Sequence, residues 1–191
     1  MLLGYLIFAH LLGDFVFQPE SLVRLKMKSM KGVFIHVLIH FVLGIIVLLP
    51  FVLHGYLWLI AVIFGICFFH FWIDQAKISY NLRHDKKVRP FVIDQLLHLL
   101  TILIAYFFVG NVQFKLAETF GVKIYTNISV LIFLSFLVFL SNVVEIYRLQ
   151  EIEEKDANAK FQPNTKNIAK RIGVFTVLYI FLMTMAFYAT K

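Results

Sequence analysis

VFIHVLIHFVLGIIVLLPFVL, residues 33–53, is a run of 21 residues whose only ionisable members are His36 and His40. A membrane span needs about 20 predominantly apolar residues, so this stretch reads as a transmembrane helix. Residues four apart share one helix face, so the two imidazoles point the same way. Ionisable side chains inside a span cost on the order of 3 kcal/mol each on insertion scales and mark a functional-site hypothesis.

Working outward, the same combination recurs. His10 and Asp14 lie in the apolar run 2–17, His70 in 56–72 with Asp74 two residues beyond its end, and Asp94 and His98 in 91–109. Two further runs, 124–144 and 172–189, carry no such pair. The whole chain has 191 residues, 61% of them apolar and 17% aromatic, and a mean hydropathy of +0.84. A soluble globular domain is about 45–50% apolar. The sequence therefore predicts an all-α, polytopic integral membrane protein of about six transmembrane helices. Residues 2–9 lack the basic start and small-residue cleavage site of a secretory signal, and the apolar pattern continues past His10, so this segment reads as helix one.

Charge sets the expected orientation. Residues 19–31 carry Arg24, Lys26, Lys28 and Lys31; residues 77–90 carry Lys77, Arg83, Lys86, Lys87 and Arg89; residues 147–171 carry Arg148, Lys155, Lys160, Lys166, Lys170 and Arg171. The opposite connections hold only Lys115 and Lys123. The positive-inside rule then puts the basic loops in the cytoplasm and both termini outside. Topology and anionic headgroups account for the net charge of +7, and no nucleic-acid partner is expected. The expected partners are the lipid bilayer, headgroups at the basic loops and, as an open option, a second copy of the chain. Residues 151–167 are mostly polar and read as a solvated or partly helical linker. The lone Cys67 excludes an intramolecular disulfide and reads as a small buried hydrophobe. The sequon at Asn127 falls inside an apolar run and reads as a chance match.

The ionisable pairs also align with one another. HLLGDFVFQ at His10, a basic loop and HVLIH at His36 recur as HFWIDQAK at His70, a basic loop and DQLLH at Asp94. This predicts a tandem two-helix repeat, 5–53 and 56–109, folded into a pseudo-twofold four-helix bundle. Residues 1–110 would form the metal-binding core, and 111–191 would add two spans joined by a cytoplasmic polar loop. At a rise of about 1.5 Å per residue, Asp14, His36, Asp74 and Asp94 would lie roughly 6 Å below the cytoplasmic helix ends, and His10, His40, His70 and His98 roughly 12 Å. Two layers are expected, imidazole inside and mainly carboxylate outside.

Such a donor set suits one or two divalent transition-metal ions, zinc foremost, with manganese or iron as alternatives. Di-iron carboxylate bundles use the same plan of inward Glu and His at fixed helical spacing. Gln18, Gln75 and Gln95 flank the carboxylates and are expected to orient them. Lys77 and Arg83 are candidate contacts to an anionic substrate. Glu145, near Ser141 and Asn142 in the fifth apolar run, is a candidate catalytic base or extra ligand, or else a partner of Arg148. His54 and His84 lie in connections and receive no role.

These motifs resemble the bacterial membrane family catalogued as domain of unknown function 3307, over about residues 5 to 105. More distantly the chain is similar to membrane-bound metal-dependent hydrolases, and that resemblance implies that His and Asp on apolar helices act as ligands. The leading expectation is a metal-dependent hydrolase acting at the cytoplasmic leaflet on a phosphorylated or lipid-linked substrate. The alternatives are a metal or proton transporter, a metal-stabilised assembly or partner-binding membrane protein, and a haem or di-iron redox protein.

Overall fold

A computed structural model of the chain describes residues 1–84, 86–110, 112, 114–116, 119–156 and 164–189. Lys160 and the middle of the polar linker, 157–163, lie outside the described residues. Among those described, every regular element is helical.

The first helix, α1 (Leu2–Leu11), runs into a π turn (Leu12–Val16) and stops at Phe17. Pro19 then disfavours helical backbone at the residue before it and forces a break. Beyond it lies α2 (Glu20–Lys28), bent by 89° from the first segment. This is a correction to the expected loop at 19–31. The sequence ESLVRLKMK alternates apolar and charged residues at helical spacing, burying Leu22 while Arg24 and Lys28 face outward. Ser29 caps the next helix, α3 (Met30–Leu53), by accepting from the Gly32 backbone N–H at 3.2 Å.

After α3 come α4 (Leu59–Asn81) and α5 (Val88–Val109), then the short α6 (Phe120–Tyr125). The apolar run at 124–144 is interrupted at Asn127, whose side chain accepts from the Ser129 and Val130 N–H groups and so starts α7 (Ile128–Val138). A second π turn (Phe139–Val143) leads into α8 (Val144–Lys155), and α9 (Thr165–Ala189) completes the chain. Five helical stretches are long and apolar enough to cross a membrane, or six if the bent pair counts as one span. Their outward faces match an apolar solvent. Phe107 is 76% and Phe108 88% exposed, an arrangement costly in water and ordinary in lipid.

Inside, α1, α3, α4 and α5 form a bundle with two chemically distinct halves. One half is an apolar plug of Tyr5, Leu48, Phe51, Leu59, Ile102 and Leu131. Tyr125 of α6 closes it: the Tyr5 hydroxyl donates to the Tyr125 carbonyl, and the Tyr125 hydroxyl donates to the Val47 carbonyl at 2.7 Å. The other half, toward the basic connections, holds all four ionisable pairs.

Helix lengths correct the expected depths. The helices run beyond their apolar stretches, so His36 lies six residues from the start of α3, Asp94 six from the start of α5 and Asp74 seven from the end of α4. At about 1.5 Å per residue these side chains sit roughly 9–10 Å from the helix ends, deeper than the apolar run lengths imply.

Candidate metal centre

All eight residues of the ionisable pairs are buried, from 0% exposed at His36 to 8% at Asp14. They converge as one cluster. The expected two layers merge because the first π turn widens the helix at Leu12–Val16 and delivers Asp14 to the middle of the bundle.

Asp14 is the hub. Its Oδ1 lies 3.0 Å from Nε2 of both His36 and His40, so one carboxylate oxygen meets an imidazole from each expected layer. His70 Nε2 is 3.6 Å from that oxygen and 3.2 Å from His36 Nε2. On the other carboxylate oxygen, His10 Nε2 lies at 3.6 Å. The second half of the cluster is looser. Asp74 Oδ2 lies 3.6 Å from His36 and 3.7 Å from His70, while His98 Nε2 lies 3.9 Å from Asp74 Oδ1 and 3.4 Å from Asp94 Oδ1.

Small residues make this approach possible. A Cβ on Gly13 would fall 2.4 Å from the His40 ring, so only glycine lets the π turn press against that imidazole. A Cβ on Gly32 would fall 2.4 Å from the Leu25 carbonyl group, and its absence lets α2 lie directly on α3. That contact places Lys26, on the last turn of α2, with Nζ 2.7 Å from Asp74 Oδ2.

Around the hub, polar partners fix the outward carboxylate oxygens. Gln95 donates from Nε2 to Asp14 Oδ2 at 2.9 Å and to Asp94 Oδ2 at 3.1 Å, and its Oε1 faces His10 Nε2 at 3.3 Å. Gln18, with its amide oriented to match its neighbours, donates to the Asp14 carbonyl at 3.1 Å and accepts from Lys26 Nζ at 3.2 Å. Gln75 is half-buried on α4 and forms no hydrogen bond to these carboxylates. Lys77, expected to meet an anionic substrate, donates to Asp94 Oδ2 at 2.7 Å and lies over the Phe91 ring. Arg83 is exposed on the turn after α4.

Glu145 stands apart from the eight. It is 2% exposed, and Arg148, Arg171 and the Asn164 backbone N–H all donate to it. The sequence alternative of pairing with Arg148 is therefore the arrangement seen. Arg171 also donates to the Leu140 carbonyl within the second π turn, at 3.0 Å. Sequence reading missed Lys26 and Gly13. Only the helical periodicity of ESLVRLKMK hinted at the first, and nothing in the sequence pattern marked the second.

The cluster's chemistry follows from proton accounting. Protons on Nε2 of His36 and His40 satisfy Asp14 Oδ1, but the His36 proton then also faces His70 Nε2 at 3.2 Å. One cation would accept all these lone pairs at once. Tetrahedral coordination at about 2.0–2.1 Å separates ligand atoms by roughly 3.3 Å. Asp14 Oδ1 lies 3.0 Å from the His36 and His40 nitrogens and 3.6 Å from that of His70, and the His36 and His70 nitrogens lie 3.2 Å apart, distances that bracket that edge. Three carboxylates against the two ammonium groups of Lys26 and Lys77 leave one net negative charge when the imidazoles are neutral, which also favours a cation.

No curated protein and no solved structure matches the chain. The family described as "Protein of unknown function (DUF3307)" matches residues 2–127, which take in α1 to α6 and every member of the cluster and stop before α7. Since that match covers well over half of the sequence, the chain belongs to the DUF3307 family.

Proposed function

We propose that the protein is a membrane-embedded metalloenzyme, a metal-dependent hydrolase that acts at the cytoplasmic leaflet on a phosphorylated or lipid-linked substrate. The observation that carries the reading is the set of four donor atoms in which Asp14 Oδ1 lies 3.0–3.6 Å from Nε2 of each of His36, His40 and His70 in a buried site. A divalent ion bound there lowers the pKa of a coordinated water to about 7 and polarises a phosphoryl or acyl oxygen. Zinc suits three imidazoles and one carboxylate.

The chain's own residues supply the rest. Gln95 and Lys77 orient the carboxylates, and the apolar plug excludes water from the opposite end. A cavity of about 30 Å³ lies beside His10, His40 and His70, bounded by Gly44, Ile63 and Cys67. One water needs at least about 10–15 Å³, so this space is large enough for the reacting water of the proposed enzyme beside the imidazoles, as a fifth ligand to the four-donor set.

Two other readings fare worse on particular observations. A carrier needs a route past the site, and Leu48, Phe51, Leu59 and Ile102 fill the bundle beyond it. Bis-imidazole haem needs a porphyrin between facing rings, whereas His70 and His98 stack directly with ring centres 3.9 Å apart. Elemental analysis of detergent-purified protein tests the proposal. The wild type should hold stoichiometric divalent metal, and His40→Ala and Asp74→Ala should both lose it. A wild type free of divalent metal after gentle extraction would sink the proposal.

A further inference from the structure

Four buried atoms of the cluster have no hydrogen-bond partner, His36 Nδ1, Asp74 Oδ2, Asp94 Oδ1 and His98 Nε2, and the last two face one another. Asp94 Oδ1 and His98 Nε2 are fully enclosed, on residues 3% and 2% exposed, and neither has a hydrogen-bond partner. A buried polar atom without a partner costs about 1–3 kcal/mol, so such a pair calls for something that satisfies it. The two atoms lie 3.4 Å apart, in ion-pair range of one another when His98 is protonated but not aligned for a hydrogen bond. Asp74 Oδ1 is 3.9 Å from His98 Nε2. A carboxylate oxygen of Asp14 completes a group with Asp94 and His98 in which all ligand atoms lie within 4.8 Å of one another.

The partners of these carboxylates sort their oxygens. Asp94 gives Oδ2 to Lys77 and Gln95, and Asp74 gives Oδ2 to Lys26. In Asp94 the outward oxygen is hydrogen-bonded and in Asp74 it is ion-paired, and in both residues Oδ1 lies within 4 Å of His98 Nε2. Outer partners that fix a carboxylate in this way are characteristic of ligating residues.

We propose that the bundle holds a second cation site, oxygen-rich and distinct from the His36–His40–His70 centre, formed by Asp94 Oδ1, His98 Nε2 and Asp74 Oδ1, with Asp14 shared between the two. This rests on the metalloenzyme reading above and adds the number and kind of ions. The first site offers three imidazoles and one carboxylate, the second one imidazole and three carboxylates. Carboxylate-rich sites suit manganese(II) and other hard, oxygen-seeking cations, whereas imidazole-rich sites suit zinc. Asp14 Oδ1 serves the first centre and Asp14 Oδ2 lies on the side of Gln95 and Asp94, so one carboxylate can bridge two ions. Two-metal hydrolytic centres place their ions about 3.5–4 Å apart, a spacing a single carboxylate spans. The added positive charge also gives an anionic substrate its counterpart.

The experiment strips the purified full-length protein of metal, reloads it with zinc(II), manganese(II) or both, and counts bound ions in the wild type, Asp94→Asn and His98→Ala. Asp94→Asn keeps the side chain's shape and guards against a folding defect. The wild type should take up two ions per chain and each variant one. Manganese-loaded wild type should show the electron paramagnetic resonance of an exchange-coupled pair, and Asp94→Asn the spectrum of an isolated ion. A wild type that saturates at one ion, or an Asp94→Asn variant that still holds two, overturns the second site and leaves the first standing. A wild type that binds no ion overturns both.

Discussion

Among the described residues two ionisable clusters are buried, and they are built on opposite principles. Around Glu145, both carboxylate oxygens are engaged: Arg148 and the Asn164 N–H donate to Oε1 and Arg171 to Oε2. That group is complete as it stands. Around Asp14 the reverse holds: His36, His40 and His70 crowd one oxygen, while Asp94 Oδ1 and His98 Nε2 face each other unsatisfied. Both clusters carry the same cost of burying charge in an apolar surround, but only the first recovers it from protein partners alone. The difference separates an ion pair that locks two helices together from a donor set that awaits a cation. Burial by itself does not distinguish them, because Glu145 is as buried as His70.

The largest effect should come from the hub. In Asp14→Asn the side chain keeps its size, loses its charge and replaces one acceptor with a donor that opposes the His36 and His40 nitrogens. Removing an outer-shell partner typically weakens metal binding about 10–100-fold, and removing a shared ligand should cost more than that. Equilibrium dialysis against a competing chelator should show at least about 100-fold weaker retention. Unaltered retention would mean that the donor atoms around Asp14 do not hold the ion, and the contrast between the two clusters would collapse.

Gly13→Ala sharpens the comparison because two effects oppose each other. Alanine in place of glycine ordinarily stabilises a helix by up to about 1 kcal/mol. Here the new methyl would sit 2.4–2.6 Å from the His40 ring and must displace it. The steric term should win, giving a lower melting temperature in detergent and metal retention weakened about 10-fold or more. Gln95→Leu is gentler. It removes the donor to Asp14 Oδ2 and Asp94 Oδ2 without altering charge, and should weaken retention by about 10-fold with little loss of thermal stability.

The sequence announces the site more clearly than the architecture around it. All eight cluster residues are visible as i,i+4 pairs in apolar runs, because helical spacing is local and an ionisable residue in a lipid-facing pattern stands out. Their relative depths are not visible. A π turn at Leu12–Val16 inserts an extra residue without any composition change, and it moves Asp14 between layers that spacing alone would separate. Nor do apolar runs report helix ends: α4 continues past Trp72 to Asn81 through polar residues that a length argument excludes. Lys26 reads as one of several loop cations because its partner, Asp74, is 48 positions away and meets it only through the 89° bend into α2. Glu145 was ambiguous for the same reason, since Arg148 is a local partner and Arg171 a distant one.

Glu145 therefore supplies the most discriminating small effect. Glu145→Gln leaves Arg148 and Arg171 facing an amide, which retains hydrogen-bonding capacity but no charge. Both arginines are partly exposed, 32% and 25% at the side chain, so water can take over much of the lost interaction. The expected cost is about 1–2 kcal/mol, seen as a fall of a few degrees in the melting temperature. Metal content should not change, because among the described residues no hydrogen bond or ion pair joins Glu145 to the Asp14 cluster, and the family match at 2–127 ends before it. A Glu145→Gln protein that loses its metal while remaining folded would place this carboxylate in the same unit as Asp14. The saturated cluster would then have to be read as part of the site, coupled through the contact between the two π turns.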